Sequence, residues 1–429
     1  MNANPAVADR PPAERAPARG PARRVARLAV LAVAVVLVCL PLEPWSILVP
    51  GISPLVALSL VLATAAFPVF AVPGLALALL AAARHRWFCH WVCPTGCCAD
   101  GASWLGRRCR RRPGWVPVLG PALALTVLAG ACLGYPVLLW LDPLALLSAA
   151  VGVFHVRQGI EWSWGAWGLI CILAVSFWWP HTWCTRLCPL GGLQDVLNAA
   201  AQCLRMLARR LGPRRAAPAR PRPAAVVWRR SFLGGLVGLA WGTCLARWNP
   251  PRTPVLRPPG AAAEEWFSSL CLRCGNCARA CPAGIIQADT GETGIGGLLA
   301  PLLTFDTDYC RESCVQCTLV CPSGALSPIA LPAKMQAVIG VPEVDMDLCL
   351  LGAVRECANC RNRCPYEAIR FVFDEQLYTL TPCVDLQRCN GCGACQVACP
   401  TQPRKAIVVR PMPQVGDHRA RPPHDQIQL

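Results

Sequence analysis

Sixteen of the 29 cysteines in this 429-residue chain fall into four short motifs between residues 271 and 399. Two motifs have the spacing Cys-x2-Cys-x2-Cys-x3-Cys-Pro, and they comprise Cys271, Cys274, Cys277 and Cys281, and Cys389, Cys392, Cys395 and Cys399. This spacing ligates [4Fe-4S] clusters, because closely spaced thiolates in one loop can reach successive corners of a cubane. Two more motifs lengthen only the first spacer, and they comprise Cys310, Cys314, Cys317 and Cys321, and Cys349, Cys357, Cys360 and Cys364. The sequence therefore predicts sixteen cluster ligands and four [4Fe-4S] clusters.

Disulfides and zinc are the alternatives for these cysteines. Zinc sites use separated pairs of cysteines and have no use for a third cysteine followed by x3-Cys-Pro. Eight disulfides would not repeat one spacing four times. Gly275, Gly391 and Gly393 relieve steric crowding where the backbone approaches sulfur. In two-cluster ferredoxins the fourth cysteine of one motif ligates the partner cluster, so the motifs are expected to work in pairs.

A different thiol pattern occurs twice in the first half of the chain. Cys89-x3-Cys93-Pro94 and Cys184-x3-Cys188-Pro189 repeat 95 residues apart, and two cysteines four residues apart share a helix face. The four thiols could ligate one additional metal centre, or each pair could undergo dithiol redox chemistry. A repeated structural turn with buried thiols is the third interpretation. Cys97, Cys98 and Cys383 receive no role from their spacing.

Other cofactors and nucleic acid lack a supporting pattern. The chain has no Cys-x-x-Cys-His run for covalent haem, and none of its six histidines is placed convincingly for haem between helices. It has no flavin-attachment or dinucleotide-binding run either. Its arginine clusters sit between apolar segments without a nucleic-acid-binding signature. We therefore predict no haem, no flavin and no nucleic-acid partner.

Composition divides the chain into two modules. The chain is 54% hydrophobic and only 15% charged, which argues against an ordinary cytosolic globular enzyme. The first 250 residues contain 25 Arg, no Lys and 7 acidic residues, whereas the rest contains 16 basic and 17 acidic residues. Five apolar segments in the first half predict membrane-spanning helices, at about 25–42, 56–83, 115–140, 164–180 and 232–247.

The predicted architecture is an α-helical membrane domain of about five transmembrane helices, followed by an α+β polyferredoxin domain of duplicated bacterial-ferredoxin-like units. Arg229 and Arg230 precede the last apolar segment as a twin-arginine export signal would. The arginine distribution predicts a multi-pass protein of the bacterial inner membrane with the ferredoxin domain on the periplasmic face. The expected divisions are a disordered basic tail (1–24), a four-helix membrane domain (25–204), a basic linker (205–230), a twin-arginine transmembrane segment (231–250), a four-cluster ferredoxin domain (251–412) and a flexible tail (413–429).

With these motifs the chain resembles a fusion of two iron–sulfur components that supply electrons to periplasmic nitrate reductase. The first half resembles the NapH-type quinol dehydrogenase component, and the second resembles the NapG/MauM-type periplasmic four-cluster ferredoxin. The segments that carry the first likeness are Arg86–Pro94, Trp140–Pro143 and Trp183–Pro189. Those that carry the second are the four cysteine motifs, Arg229–Leu233, Leu256–Gly260 and Cys321–Leu326.

The resemblance implies an electron-transfer protein of anaerobic respiration. Electrons would pass from the membrane quinol pool, or from the centre at the inner thiols, through the four clusters to a periplasmic reductase or a cytochrome c acceptor. If the chain is itself catalytic, its activity would be that of a quinol dehydrogenase. Cations beside the motifs, Arg273, Arg279, Arg361 and Arg363, are expected to favour the reduced clusters. The alternative is an assembly or maturation factor that reduces metal or thiols for another metalloenzyme.

Overall fold

The computed structural model shows a helical half followed by a half of short helices and hairpins. It describes residues 21–39, 47–65, 67, 71–111, 116–136, 138–152, 164–211, 225–247, 255–291, 297–375 and 378–412. The expected tail at 413–429, residues 1–20 of the expected tail at 1–24, and residues 212–224 of the expected linker lie outside these ranges.

Helices make up the described part of the first half. They are α1 (Pro21–Cys39), α2 (Leu48–Gly51), α3 (Pro54–Thr64), α4 (Val72–Ala83), α5 (Trp87–Trp91), α6 (Pro94–Arg108), α7 (Gly120–Cys132), α8 (Pro143–Gly152), α9 (Trp164–Trp178), α10 (Pro189–Leu211) and α11 (Ala225–Arg247). A 3-10 turn (Leu139–Leu141) precedes α8, and a π-type turn (Trp183–Leu187) precedes α10. Helices α3, α6, α8 and α10 begin at a proline, which has no N–H and so leaves no donor unpaired in the first turn.

Glycines let α7 lie very close to α10 and α11. A Cβ on Gly192 would lie only 2.0 Å from the carbonyl carbon of Gly120, and one on Gly234 would lie 2.4 Å from the carbonyl oxygen of Ala122. The Thr126 hydroxyl donates a hydrogen bond to the Gly234 carbonyl at 2.9 Å. No larger residue fits these crossings without a backbone shift, so the helix packing is set by small residues.

A buried carboxyl joins the beginnings of α3 and α8. Asp142 is fully buried and accepts hydrogen bonds from the Ser53 hydroxyl at 2.5 Å and from the Leu144 N–H at 2.9 Å. Burial raises the pKa of Asp142 to about 6, although these hydrogen bonds act in the opposite direction. The Asp142 side chain therefore caps α8 and ties it to the residue that precedes α3.

The predicted transmembrane architecture is wrong. Within the part of the chain that the structure describes, every helix is either too short or too polar to cross a bilayer. The expected span at 56–83 is divided into α3 and α4, of 11 and 12 residues, and α3 ends at Ala65 in the left-handed conformation (φ 52°). At about 1.5 Å per residue, each is far shorter than the roughly 30 Å of hydrocarbon in a bilayer.

The remaining expected spans fail for the same two reasons. Helices α7 and α9 have 13 and 15 residues, which is again too short. Helix α1 has 19 residues but contains three arginines, and α11 has 23 residues but likewise contains three. The predicted multi-pass location in the bacterial inner membrane, with the ferredoxin domain on the periplasmic face, is therefore overturned together with the predicted membrane domain.

The second half consists of short elements around the cysteine motifs. Its helices are α12 (Glu264–Leu270), α13 (Asn276–Ala280), α14 (Gln316–Leu319), α15 (Asn359–Arg363) and α16 (Ala394–Ala398). Its strands are β1 (Ile286–Ala288), β2 (Pro301–Leu303), β3 (Val341–Val344), β4 (Ile369–Asp374), β5 (Thr379–Val384) and β6 (Ile407–Arg410). A 3-10 turn, Leu331–Gln336, joins the first two motifs to the last two.

The described strands pair in antiparallel fashion, and the pairs repeat one plan. Strand β1 pairs with β2 between the first two motifs, and β4 pairs with β5 between the last two. The ends of each unit also pair, through a single bridge between Ala261 and Leu326 in the first unit and through β3 and β6 in the second. We name these units the first module (255–327) and the second module (341–410).

The first module packs directly against the helical half. The Arg279 guanidinium donates to the Ser148 carbonyl of α8 at 2.8 Å, and the Ser148 hydroxyl lies 3.2 Å from the Asn276 side-chain oxygen. Leu272 and Cys274 belong to the same buried cluster as residues of α3, α7 and α8. The first cysteine motif is therefore part of the core that joins the two halves.

Candidate metal centres

Four of the described short helices of the second half each contain one motif cysteine and are followed by another. Helices α13, α14, α15 and α16 contain the third cysteine of their motifs, and the fourth lies just beyond the last turn. Cys281, Cys364 and Cys399 end their helices in the extended conformation, with ψ between 109° and 124°. The proline that follows disfavours helical geometry at these cysteines, so the Cys-Pro pair both ends the helix and turns the fourth sulfur away from it.

Glycine precedes the helix only in the two tightly spaced motifs. Gly275 and Gly393 adopt left-handed φ values of 73° and 87° at the starts of α13 and α16, where a side chain would be strained. In the two motifs with longer spacers, Val315 and Ala358 occupy the corresponding position with φ values of −129° and −132°. The left-handed residue before the helix is thus confined to the two motifs with the short first spacer.

Eight of the sixteen cysteines line two cavities in the first module. The first cavity is lined by Cys271, Cys274 and Cys277 of the first motif together with Cys321 of the second. The second cavity is lined by Cys310, Cys314 and Cys317 of the second motif together with Cys281 of the first. The fourth cysteines are exchanged between the motifs, as in two-cluster ferredoxins.

The second module shows the same exchange at one of its two sites. Cys364, the fourth cysteine of the third motif, lies close enough to Cys389, Cys392 and Cys395 for their charges to interact. Cys360 interacts in the same way with Cys349 and Cys357. Cys399 belongs to the same core cluster as Cys349 and Cys360.

The cysteine sites suit a metal cluster chemically. Burial raises the pKa of Cys274 and of Cys392 to about 12, so these thiols stay protonated unless a cation is bound. Backbone N–H groups already face the sulfurs, from Leu326 to Cys321 at 3.3 Å and from Ala368 to Cys364 at 3.4 Å. Four converging thiols with N–H donors to sulfur match what an iron–sulfur cluster requires.

Isolated metal ions have no comparable site among the described residues. In that part of the chain, no three His, Cys, Asp or Glu side chains are close enough together to hold a single ion.

Two of the four predicted cations lie against the cysteines of the first cavity. Burial raises the pKa of Cys271, and the charge of Arg273 partly offsets this effect. Arg279 interacts electrostatically with Cys274 and Cys277. Arg361 and Arg363 instead lie over aromatic rings, at 4.8 Å from the Phe371 centroid and 5.5 Å from the Tyr309 centroid.

Two lysines that no sequence motif includes lie beside the cysteines. The chain has only two, Lys334 and Lys405, and each donates a hydrogen bond to the backbone carbonyl of a motif cysteine, Cys314 and Cys399 respectively. Lys334 is only 1% exposed. Burial raises the pKa of the Cys310 thiol, and the charge and hydrogen bond of Lys334 act in the opposite direction. The rarity of lysine in a chain so rich in arginine was a signal available in the sequence.

The two modules touch through cysteine backbone. The Cys310 N–H donates to the Cys392 carbonyl at 2.9 Å, and the charges of these two cysteines interact. The Asn390 side chain also donates to the Tyr366 hydroxyl at 2.9 Å within the second module. The second site of the first module therefore adjoins the site formed by Cys364, Cys389, Cys392 and Cys395.

The four inner thiols also converge. Cys93 interacts electrostatically with Cys89, Cys184 and Cys188, and burial and these neighbours raise its pKa well above the ordinary value. Cys93 and Cys188 are each only 5% exposed. The helical half therefore contains a second kind of thiol site, which the 95-residue repeat predicted only as one of three interpretations.

Three other cysteines stay without a role. Cys383 lies in β5 opposite Arg370 of β4, and Cys97 and Cys98 lie in the first turn of α6 beyond the inner thiols. Burial raises the pKa of Cys98, with Cys97 adding to the effect.

Comparison with known proteins supports the ferredoxin half. Residues 270–325, which hold the first two motifs, match the family model described as a 4Fe-4S dicluster domain. The methylamine utilization ferredoxin-type protein MauM of Methylobacillus flagellatus is 37% identical over 175 residues, which are 38% of this chain and 72% of that protein. No solved structure matches the chain.

Two ferredoxin-type proteins of Escherichia coli are also similar. NapG is 33% identical over 202 residues, covering 43% of this chain and 86% of NapG. NapF is 33% identical over 161 residues, covering 37% of this chain and 88% of NapF. These matches bear out the ferredoxin component of the expected fusion. The chain, whose motifs exchange their fourth cysteines in the first module, belongs to the family of ferredoxin-type iron–sulfur proteins that includes MauM and NapG.

Proposed function

We propose that the protein carries electrons one at a time through four [4Fe-4S] clusters in its second half. The observation that carries the proposal is the exchange of fourth cysteines between motifs. The ligand sets are Cys271, Cys274, Cys277 and Cys321 (site I), Cys281, Cys310, Cys314 and Cys317 (site II), Cys349, Cys357, Cys360 and Cys399 (site III), and Cys364, Cys389, Cys392 and Cys395 (site IV).

The contacts support an electron path in the order I, II, IV, III. Sites I and II exchange their fourth cysteines, and in our proposal sites III and IV do the same. A short stretch of backbone therefore joins the two clusters of each pair. The hydrogen bond from the Cys310 N–H to the Cys392 carbonyl links site II to site IV. Site I adjoins the helical half through Cys274, whereas site III lies at α15, none of whose residues is buried. Electrons would enter near site I and leave near site III.

The chain's own cations set the charge balance at these sites. A bound cluster supplies the one-electron couple, and its reduced form carries one more negative charge. Arg279 lies beside Cys274 and Cys277, and the buried Lys334 lies beside Cys310. Both cations favour reduction of sites I and II, because opposite charges attract more strongly away from water.

The donor and acceptor are a further part of the proposal. The likeness of Arg86–Pro94 and Trp183–Pro189 to the NapH-type component supports quinol as the donor. The names of the relatives describe them as ferredoxin-type proteins, which fits an electron-transfer partner. The acceptor that we propose is a reductase or a cytochrome c, as the resemblance to the electron-supply components of nitrate reductase implies. Reduction of the clusters by a soluble quinol analogue in anaerobic stopped-flow measurements tests the donor.

Iron analysis of ligand variants tests the clusters. In anaerobically purified Cys360→Ser, iron and acid-labile sulfide should fall by about four per chain, or about eight if the second module unfolds. Cys383→Ser is the matched control, because Cys383 belongs to the same module but to no motif, and it should retain all iron. Unchanged iron in Cys360→Ser would contradict the proposal.

A further inference from the structure

The inner thiols share their local geometry with the cysteines of the ferredoxin half. Cys93 and Cys188 precede a proline in the extended conformation, with ψ of 111° and 120°, as Cys281, Cys364 and Cys399 do. In both inner pairs a glycine N–H faces this sulfur, from Gly96 at 3.3 Å and from Gly191 at 3.4 Å. The same arrangement is thus built twice, at the starts of α6 and α10.

Helix packing brings the two pairs to one point. Gln194 of α10 reaches the Cys89 sulfur at 2.8 Å, and a Cβ on Gly191 would lie 2.9 Å from the Cys184 carbonyl oxygen and 4.0 Å from the Cys188 sulfur. Cys93 in turn lies within electrostatic range of all three other thiols. Helix α6 packs against α9 and the π-type turn, and α10 packs against that turn and against α4 and α7. Four sulfurs from two distant segments therefore surround one buried position.

The side chains around the thiols are donors and cations. The Gln194 amide donates to the Cys89 sulfur at 2.8 Å, and Gln194 itself is fully buried. The Arg86 guanidinium donates to the Cys184 carbonyl at 3.0 Å and is held by Asp195. Such donors and positive charge offset the negative charge that four metal-bound thiolates would carry.

A buried donor beside the site has no partner. Arg27 is 7% exposed, its charge acts on Cys89 and Cys184, and its Nη2 lies 3.3 Å from the position a Cβ would take on Gly96. One of its nitrogens pairs with Asp100, but its Nε has no hydrogen-bond partner among the described residues. A buried N–H without a partner is costly, so this side of the thiol site favours an acceptor.

The inner site is connected to site I through packed side chains. Cys93 and Cys188 belong to the same buried cluster as Cys274, with Leu139 and Leu144 in that cluster as well. Side chains in contact therefore lead from the inner thiols to a ligand of site I.

We propose that Cys89, Cys93, Cys184 and Cys188 bind a fifth iron–sulfur cluster, ligated by cysteine alone, that exchanges single electrons with the cluster at site I. The electron passes from the reduced inner cluster to the oxidised cluster at site I, and no covalent bond forms or breaks. The electron exchange rests on the proposed function of the second half, whereas binding of the cluster does not.

Iron content of the full-length protein tests the site. Anaerobically purified protein should contain about two to four iron atoms per chain beyond the sixteen of the four outer clusters. Cys93→Ser and Cys89→Ser should each lose that excess and retain the outer clusters, as seen by Mössbauer spectroscopy and by EPR of the dithionite-reduced protein. Cys171→Ser and Cys203→Ser are matched controls, because both cysteines are exposed and lie in the helical half; they should keep the excess.

The outcomes separate this inference from the proposed function. Wild-type protein with no more than the sixteen outer iron atoms overturns the fifth cluster even if a variant misfolds. Rapid alkylation of four inner thiols in the untreated anaerobic protein, which would indicate free dithiols, overturns it as well. Loss of iron in Cys360→Ser without loss in Cys93→Ser would leave the four-cluster proposal standing alone. Loss in Cys93→Ser without loss in Cys360→Ser would do the reverse.

Discussion

The two halves of the molecule bring their cysteines together by different means. In the two cavities of the ferredoxin half's first module, three cysteines come from one motif and the fourth from the neighbouring motif. In the helical half, two pairs that are 95 residues apart meet only because α6 and α10 pack around a common point. The first arrangement depends on local chain geometry and the second on helix packing.

This difference indicates where each site is vulnerable. A loop site loses its ligand set when the short elements that hold the loop are disturbed, and bound metal itself supplies part of the folding free energy. A site between helices is lost when the helices separate, even if every cysteine is intact. Changes in the supporting residues of one half should therefore leave the thiol site of the other half in place.

The largest expected effect is at a buried ion pair of the first module. Arg257 donates to Glu264 at 2.8 Å and to the Pro301 carbonyl at 2.7 Å, and the two side chains are 7% and 6% exposed. Arg257→Met removes the positive charge that is paired with the buried Glu264 carboxylate, which should lower the free energy of unfolding by about 3–5 kcal/mol. Anaerobic denaturant unfolding, followed by the visible absorbance of the clusters, measures it.

A surface ion pair in the same half is the control. Arg410 and Glu343 are 63% and 67% exposed, so Arg410→Met should change the free energy of unfolding by only about 0–1 kcal/mol. Comparable losses in the two variants would contradict the account of the Arg257 pair. Iron loss from the inner thiols in Arg257→Met would contradict the expectation that each half holds its thiol site independently.

An intermediate effect is expected at a helix crossing. Gly192→Ala places a methyl group against the Gly120 backbone, so α10 must move, at a cost of about 1–3 kcal/mol. The inner thiols should become reactive toward alkylating agents while the outer clusters stay intact. Gly101→Ala in α6 is the control, because no atom lies within 4 Å of its added Cβ, and it should stabilise the helix by up to about 1 kcal/mol. Equal thiol reactivity in both variants would count against packing as the cause.

The smallest expected effect is on a reduction potential. Lys334→Met removes a buried cation beside Cys310, so the potential of the cluster at site II should become more negative by an amount on the order of 50 mV. Anaerobic redox titration with EPR detection measures the shift. Arg311→Met provides the comparison, because the Arg311 side chain is 51% exposed and solvent screens its charge. If Arg311→Met shifted the reduction potential of site II as much as Lys334→Met, the burial of the Lys334 charge could not be the cause of the shift.

Local features of the ferredoxin half were predictable from sequence. The spacing of Cys271, Cys274 and Cys277 requires a tight loop, and the left-handed Gly275 is where such a loop needs it. The proline after Cys281 predicts the end of α13. Each of these relations acts over a few residues, so the order of residue types is enough to specify it.

The transmembrane prediction failed because composition does not locate helix ends. The apolar run at 56–83 satisfies the length rule, but the backbone turns at Ala65 and makes two short helices of it. An apolar side chain also carries no mark of whether it faces lipid or another helix. The burial of Lys334 was not predictable for a similar reason, because no local sequence pattern distinguishes a buried lysine from an exposed one.

The sequence alone determined which cysteines form motifs, where the short helices end, and which relatives the second half resembles. Only the tertiary structure decided which fourth cysteine joins which motif, that site II adjoins site IV, and that Cys89, Cys93, Cys184 and Cys188 converge. The physical reason is range: spacing and proline act through neighbouring backbone dihedrals, whereas these groupings depend on packing between segments whose separation along the chain leaves no local trace.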